Sequence, residues 1–119
     1  MLPPMPNDPS SSALDRLLRQ AIAERRLVAF TLDGVRRVGE PHDYGIHKGV
    51  PRLLFYQLEG RNTFRPEWRW GELAKISDLR LLDDRFAGPR PAPSGRRVQW
   101  DALMATVSPR PVSPPLDGA

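Results

Sequence analysis

A histidine, an aspartate and a tyrosine stand together at His42-Asp43-Tyr44, after a short run that carries Arg36 and Arg37. Imidazole, carboxylate and phenol side by side are groups that bind ligands, coordinate metals or move protons. Arg69, between Trp68 and Trp70, offers a planar guanidinium suited to a carboxylate or a phosphate. Catalytic readings find less support. His42 and His47 are the only two histidines and share one loop without a clear third ligand, so a metal site is not expected. Ser77, the one serine between residues 13 and 86, has no histidine near it in sequence, which disfavours a hydrolase triad. Asp83-Asp84 reads as a turn rather than a carboxylate pair, and no Gly-rich phosphate loop is present. The expected chemistry is therefore binding without catalysis and without a cofactor.

The elements that would position these groups follow from pattern. Residues 1–12 are rich in proline, serine and asparagine and are expected to be disordered, with Ser11 or Ser12 as a helix cap. Leu14, Leu17, Leu18, Ala21 and Ile22 then form one apolar stripe, predicting an amphipathic helix over 13–26. A strand is predicted at 27–32. Asp33-Gly34 is a two-residue hairpin signal, because a type I′ turn needs φ > 0 twice. The return strand is expected over 35–40 and to stop at Pro41, which cannot donate a ladder bond. Lys48-Gly49 and Pro51 mark the loop beyond it. Further strands are predicted at 52–59, 68–73 and 76–82, with a turn at 60–63. Trp100, Leu103, Met104 and Val107 share helical spacing, which predicts a short C-terminal helix within 97–107 docked on the body.

The domain plan is thus a disordered lead-in at 1–12, a folded unit at 13–107 and a disordered proline-rich tail at 108–119. Within the unit, the helix occupies 13–26, the strands 27–86, a proline-rich loop 87–96 and the last helix 97–107. One helix followed by five short strands, without crossover helices, predicts a mainly β fold with flanking helices: a small five-stranded antiparallel barrel. Closure would remove exposed strand edges.

Composition sets further bounds. The formal net charge is +4, and of the 18 basic residues only Lys48 and Lys75 are lysine. That balance permits an anionic or nucleic-acid ligand without requiring one. With no cysteine, disulfides, thiolate metal sites and cysteine nucleophiles are excluded. No run approaches the roughly 18 apolar residues of a membrane span, and 1–12 lacks a signal-peptide pattern, so a cytoplasmic protein is expected.

The order Ala21-Ile22…Arg25…Val28…Phe30…Asp33-Gly34…Arg37-Val38…Glu40-Pro41-His42…Tyr44-Gly45 resembles the WYL domain family. So does Leu54-Phe55-Tyr56-Gln57…Gly60…Trp68-Arg69…Leu73…Ile76…Leu79…Leu82…Phe86, and the likeness is to compact, stand-alone bacterial members. Asp101…Met104…Val107 resembles their closing helix. The resemblance implies an SH3-like or Sm-like barrel that binds a negatively charged ligand, a nucleotide or single-stranded nucleic acid. Carried over by position, the contacts it implies are His42 and Arg69, then Arg37 and Tyr56, with Tyr44 beside them. The chain departs from the family at Pro51-Arg52-Leu53, where only Leu53 fits the naming tripeptide, and at Gly71, where the family has an aromatic residue.

Each of these residues has a plainer reading. His42 can end its strand by hydrogen-bonding a nearby carbonyl. Arg69 must point away from both neighbouring tryptophans, so either it or they face any pocket. Tyr56 shares a face with Leu54 and Leu58 and fits a core. Two functions follow: a regulatory, ligand-sensing module for a phosphate-bearing molecule or short single strand, or a module that self-associates or docks a protein partner.

Overall fold

The computed structural model describes residues 9–60, 67–91 and 98–108, with side chains from residue 13 onward. The expectations for residues 1–8, the turn at 61–63, Pro66, the connector at 92–97 and the tail from 109 lie outside the described residues. The predicted apolar stripe forms α1 (Pro9–Glu24), whose Leu18, Ala21 and Ile22 are buried against the sheet. The helix starts earlier than 13, running through the serines expected to cap it, and ends two residues before 26. Arg25 ends it by taking a positive φ of 55°.

Six strands follow, all antiparallel to their neighbours: β1 (Arg26–Leu32), β2 (Val35–His47), β3 (Val50–Glu59), β4 (Glu67–Glu72), β5 (Ile76–Arg85) and β6 (Ala102–Thr106). A single 3-10 turn, Leu73–Lys75, joins β4 to β5. The β1–β2 hairpin turns on Asp33 and Gly34 at φ 53° and 75°, as the sequence predicts. Lys48 and Gly49, at φ 52° and 78°, make an equivalent turn between β2 and β3.

Pro41 does not end its strand. β2 is 13 residues long and pairs along most of its length with β3. On its other edge it pairs first with β1, through Gly39, and then with β6, from Asp43 onward. Pro41 falls between those two ladders, at a local edge where a missing N–H is tolerated. A register shift at Pro41/Asp43 marks the bend.

The predicted C-terminal helix is instead strand β6, laid on the second half of β2. Its apolar residues do not share a buried face: Leu103 and Met104 are exposed while Val107 is buried. A helix of two or three turns gains little by itself, whereas the free edge of β2 offers a ready ladder.

The predicted barrel is not closed either. The sheet is open, in the order β4-β3-β2-β1-β5 with β6 on β2, and β4 and β5 share no ladder among the described residues. Its edges are guarded otherwise: β4 is six residues long, and the end of β5 carries Asp83, Asp84 and Arg85, all exposed.

One sheet face and α1 enclose the core, where Phe30 and Phe55 meet edge to face at 4.9 Å among Val28, Leu32, Leu53 and Ile76. Arg25 pins the periphery to this core. Its carbonyl accepts the Phe86 N–H, and its guanidinium donates to the carbonyls of Ala87 and Ser108. One side chain thereby fixes both where the β5–β6 connector leaves and where β6 ends.

Gly45 lies where β6 crosses β2. A Cβ there would press on the Ala102 carbonyl and sit 3.0 Å from both Leu103 Cα and the Trp100 ring. At Gly71 the nearest atoms would be Ile76 and Leu32 methyls at 3.4 Å, which is ordinary contact. Gly45→Ala is therefore expected to lower stability by about 1–3 kcal/mol in denaturant unfolding, and Gly71→Ala by under about 1 kcal/mol. Equal effects would mean that the β2–β6 approach is not tight.

Candidate functional site

The sheet face away from α1 carries one row of aromatic side chains. Register puts Glu40, Tyr56 and Trp68 in line across β2, β3 and β4, and Asp43, Leu54 and Trp70 in the next line. Residues on either side of the 92–97 stretch border this face, and a cleft of about 420 Å³ lies there. His42, Asp43, Leu54 and Trp68 line it from the sheet; Leu103, Thr106 and Val107 line it from β6 and the residue after it. The connector contributes Pro89 and Arg90 on one side and Val98, Gln99 and Trp100 on the other.

His42 is buried, and both ring nitrogens are used. The Arg90 backbone N–H donates to Nε2 at 3.2 Å, so Nδ1 carries the proton and donates to the Glu40 carbonyl at 3.0 Å. Its ring packs edge-on to Trp68 at 4.7 Å and stacks with Phe86 at 5.3 Å. Burial pushes its pKa below the ordinary value of 6.5, overriding the Glu40 carbonyl and the Glu40 and Asp43 carboxylates, which favour the charged form. The side chain makes the hydrogen bond to a nearby carbonyl that its plainer reading describes, and it also lines the cleft.

The other residues singled out by sequence separate. Tyr56 lies on the cleft side, edge-on to Trp68 at 5.4 Å and beneath the Arg90 guanidinium at 4.1 Å. Arg69 pairs across the ladder with Phe55, on the opposite face, and bridges to Glu67. Arg37 also lies on that face, donating to Gln57 Oε1 at 2.8 Å and to the Leu32 carbonyl. Tyr44 is buried under α1, where its hydroxyl donates to Asp15 at 2.6 Å. Burial and that bond raise the phenol well above its usual range, and the same bond is the main cause lowering Asp15. Trp68 thus lines the cleft, Trp70 lies exposed on the same sheet face, and Arg69 points to the other face.

Three residues outside the sequence candidates stand at the cleft: Arg90 and Trp100 line it, and Glu40 holds Arg90. Glu40, only 4% exposed, receives Arg90 through both oxygens, at 2.6 Å from Nε and 2.9 Å from Nη2. Trp100, expected as a helix anchor, instead joins His47 and Trp70 in an aromatic cluster with centroids 4.6–5.8 Å apart. The Glu40–Arg90 pair spans 50 residues, so no local pattern in the sequence announces it.

Among the described residues no group of three or more His, Asp or Glu is placed to hold a metal ion, and no helix is long and apolar enough to cross a membrane. Comparison with family models, curated proteins and solved structures finds no match to this chain.

Because the fold favours neutral His42, its contribution to stability is full above pH 6.5 and is lost as pH falls toward its depressed folded value. Urea unfolding at pH 7.5 and 5.5 should show this loss in the parent protein. In His42→Phe the loss should shrink while stability at pH 7.5 also falls, since Arg90 loses its acceptor. An unchanged pH slope in that variant would place the titrating group elsewhere.

Proposed function

We propose that this chain is a cytoplasmic, non-catalytic binding module of WYL-like type. Its ligand is a phosphate-bearing small molecule or a short single strand, held in the cleft between the sheet and the β5–β6 connector. The observation that carries this reading is the cleft itself, about 420 Å³ with Trp68 and Trp100 on its walls and one arginine at its edge. Indole faces stack on bases and other flat rings without regard to sequence, worth about 1–3 kcal/mol each. The bend of β2 between two ladders is how a small sheet turns a corner, which supports an SH3-like or Sm-like origin for this open sheet.

The binding surface so proposed differs from the one the resemblance implies. Arg69 and Arg37 sit behind the sheet, so the aromatic residues carry the affinity and a single cation the charge preference. A protein-interaction role is the second reading. It is favoured by Trp70, Leu103 and Met104, which are large, apolar and exposed.

Titration of nucleoside monophosphates and short single-stranded oligonucleotides, followed by tryptophan fluorescence at low and high salt, tests the first reading. Saturable binding is expected, weakened about tenfold or more by Trp68→Ala and less than about twofold by Arg69→Ala. No binding at low salt, together with a concentration-dependent dimer in sedimentation, would transfer the role to protein association.

A further inference from the structure

Within the cleft, a ligand's charged group would meet opposing neighbours. Asp43 faces it with a carboxylate that accepts the Thr106 hydroxyl at 2.6 Å, and repels an anion from that end. Arg90 is the one arginine or lysine among the described residues that line the cleft. It comes from the connector, 50 residues away in sequence from its partner on β2.

We propose that Arg90 is the residue that reads the anionic group of a ligand in this cleft, with Glu40 as its positioning residue. This rests on the binding reading above and adds the ligand's polarity: an apolar or aromatic body against Trp68, Leu54 and Trp100, and an oxyanion toward the connector.

Three restraints fix Arg90. Its backbone N–H is tied to His42 Nε2, its Nε and Nη2 to the two oxygens of Glu40, and its plane lies 4.1 Å from the Tyr56 ring centroid. The flanking prolines, Pro89 and Pro91, narrow the backbone choices on either side. A long side chain ordinarily loses rotamer freedom on meeting its ligand; here the fold has already removed most of it. Nη1 has no partner among the described residues, and 42% of the side chain is exposed, so a donor remains on the open side.

Glu40 neutralises Arg90 at long range. The recognition is therefore short-range and directional, a charge-assisted hydrogen bond rather than an attraction across solvent. A second cavity of about 490 Å³ lies between Glu40 and Pro91, so Arg90 is bordered by open space on more than one side.

The test compares a nucleoside with its 5′-monophosphate, a pair that shares the ring and differs in the anion. The parent protein should prefer the monophosphate by about tenfold, the effect of one charge-assisted bond. In Arg90→Ala the preference should fall below about twofold while nucleoside affinity stays within about threefold. Arg90→Ala leaves Glu40 buried alone, so the double variant Arg90→Ala/Glu40→Gln, which removes that charge, must show the same loss. Glu40→Gln alone should reduce the preference with little change for the nucleoside, an effect that mere loss of stability would not produce. A preference retained in both Arg90 variants overturns the assignment to Arg90 alone. Equal loss of both compounds makes Arg90 only a wall of the cleft. Failure of the parent protein to bind either compound removes the binding reading and this inference with it.

Discussion

Everything in this fold depends on β2 having more than one neighbour on a single edge. A strand of 13 residues pairs with β3 on one side and, on the other, first with β1 and then with β6. No flat strand can serve both without a bend, and the register shift after Pro41 supplies it. The bend has two consequences. It wraps the sheet around α1, and it places His42 and Asp43 at the corner on the face that α1 does not cover. The cleft is bounded at that corner by β6 and by residues 89–90 and 98–100. A proline that a reading by local rules places at a strand end is what lets the strand continue in a new direction.

The polar groups near this corner are arranged so that few are left buried alone. Arg25, Glu40, His42 and Gln57 are the buried polar residues, and each has hydrogen-bond partners from a different part of the chain. Arg25 reaches two carbonyls on the connector and after β6, Glu40 takes Arg90, His42 takes the Arg90 backbone, and Gln57 takes Arg37. Removing one partner of such a pair exposes the other to the full penalty of unpaired burial, which exceeds the net gain of the bond itself. These contacts therefore act chiefly as specificity devices. They tie Arg90 to the cleft face, where its backbone and side chain satisfy His42 and Glu40 together.

How much of this was legible in the sequence follows from the range of each interaction. The α1 stripe and the Asp33-Gly34 turn depend on neighbours a few residues apart, and both appear as read. β6 was misread because Trp100, Leu103, Met104 and Val107 satisfy a helical spacing by coincidence; the free ladder on β2 that decides the matter comes from residues some 60 positions earlier. The barrel expectation rested on a general need to hide edges, and this chain meets that need with a short β4 and a charged end to β5. His42 carried two readings that only the position of Arg90 separates. Among the candidate site residues, Tyr56 is placed on the cleft side by its register with Trp68, and His42 by the register shift between Pro41 and Asp43. Arg37, Arg69 and Tyr44 fall on the other side by strand alternation.

That alternation also bears on what the net charge of +4 means. Arginine-rich composition suggests an anion-binding surface, yet several arginines here are committed to protein acceptors: Arg25 and Arg26 to carbonyls, Arg37 to Gln57, Arg85 to the Glu24 carbonyl, Arg90 to Glu40. A guanidinium has five donors in a fixed plane, so it can tie distant backbone segments together where a lysine cannot. Much of the basic character is thus spent on architecture. What the proposed binding reading has to work with is an aromatic cleft lined by one carboxylate and a single arginine. On that reading, selection would come from fit and from the direction of one hydrogen bond, not from the field of the whole surface.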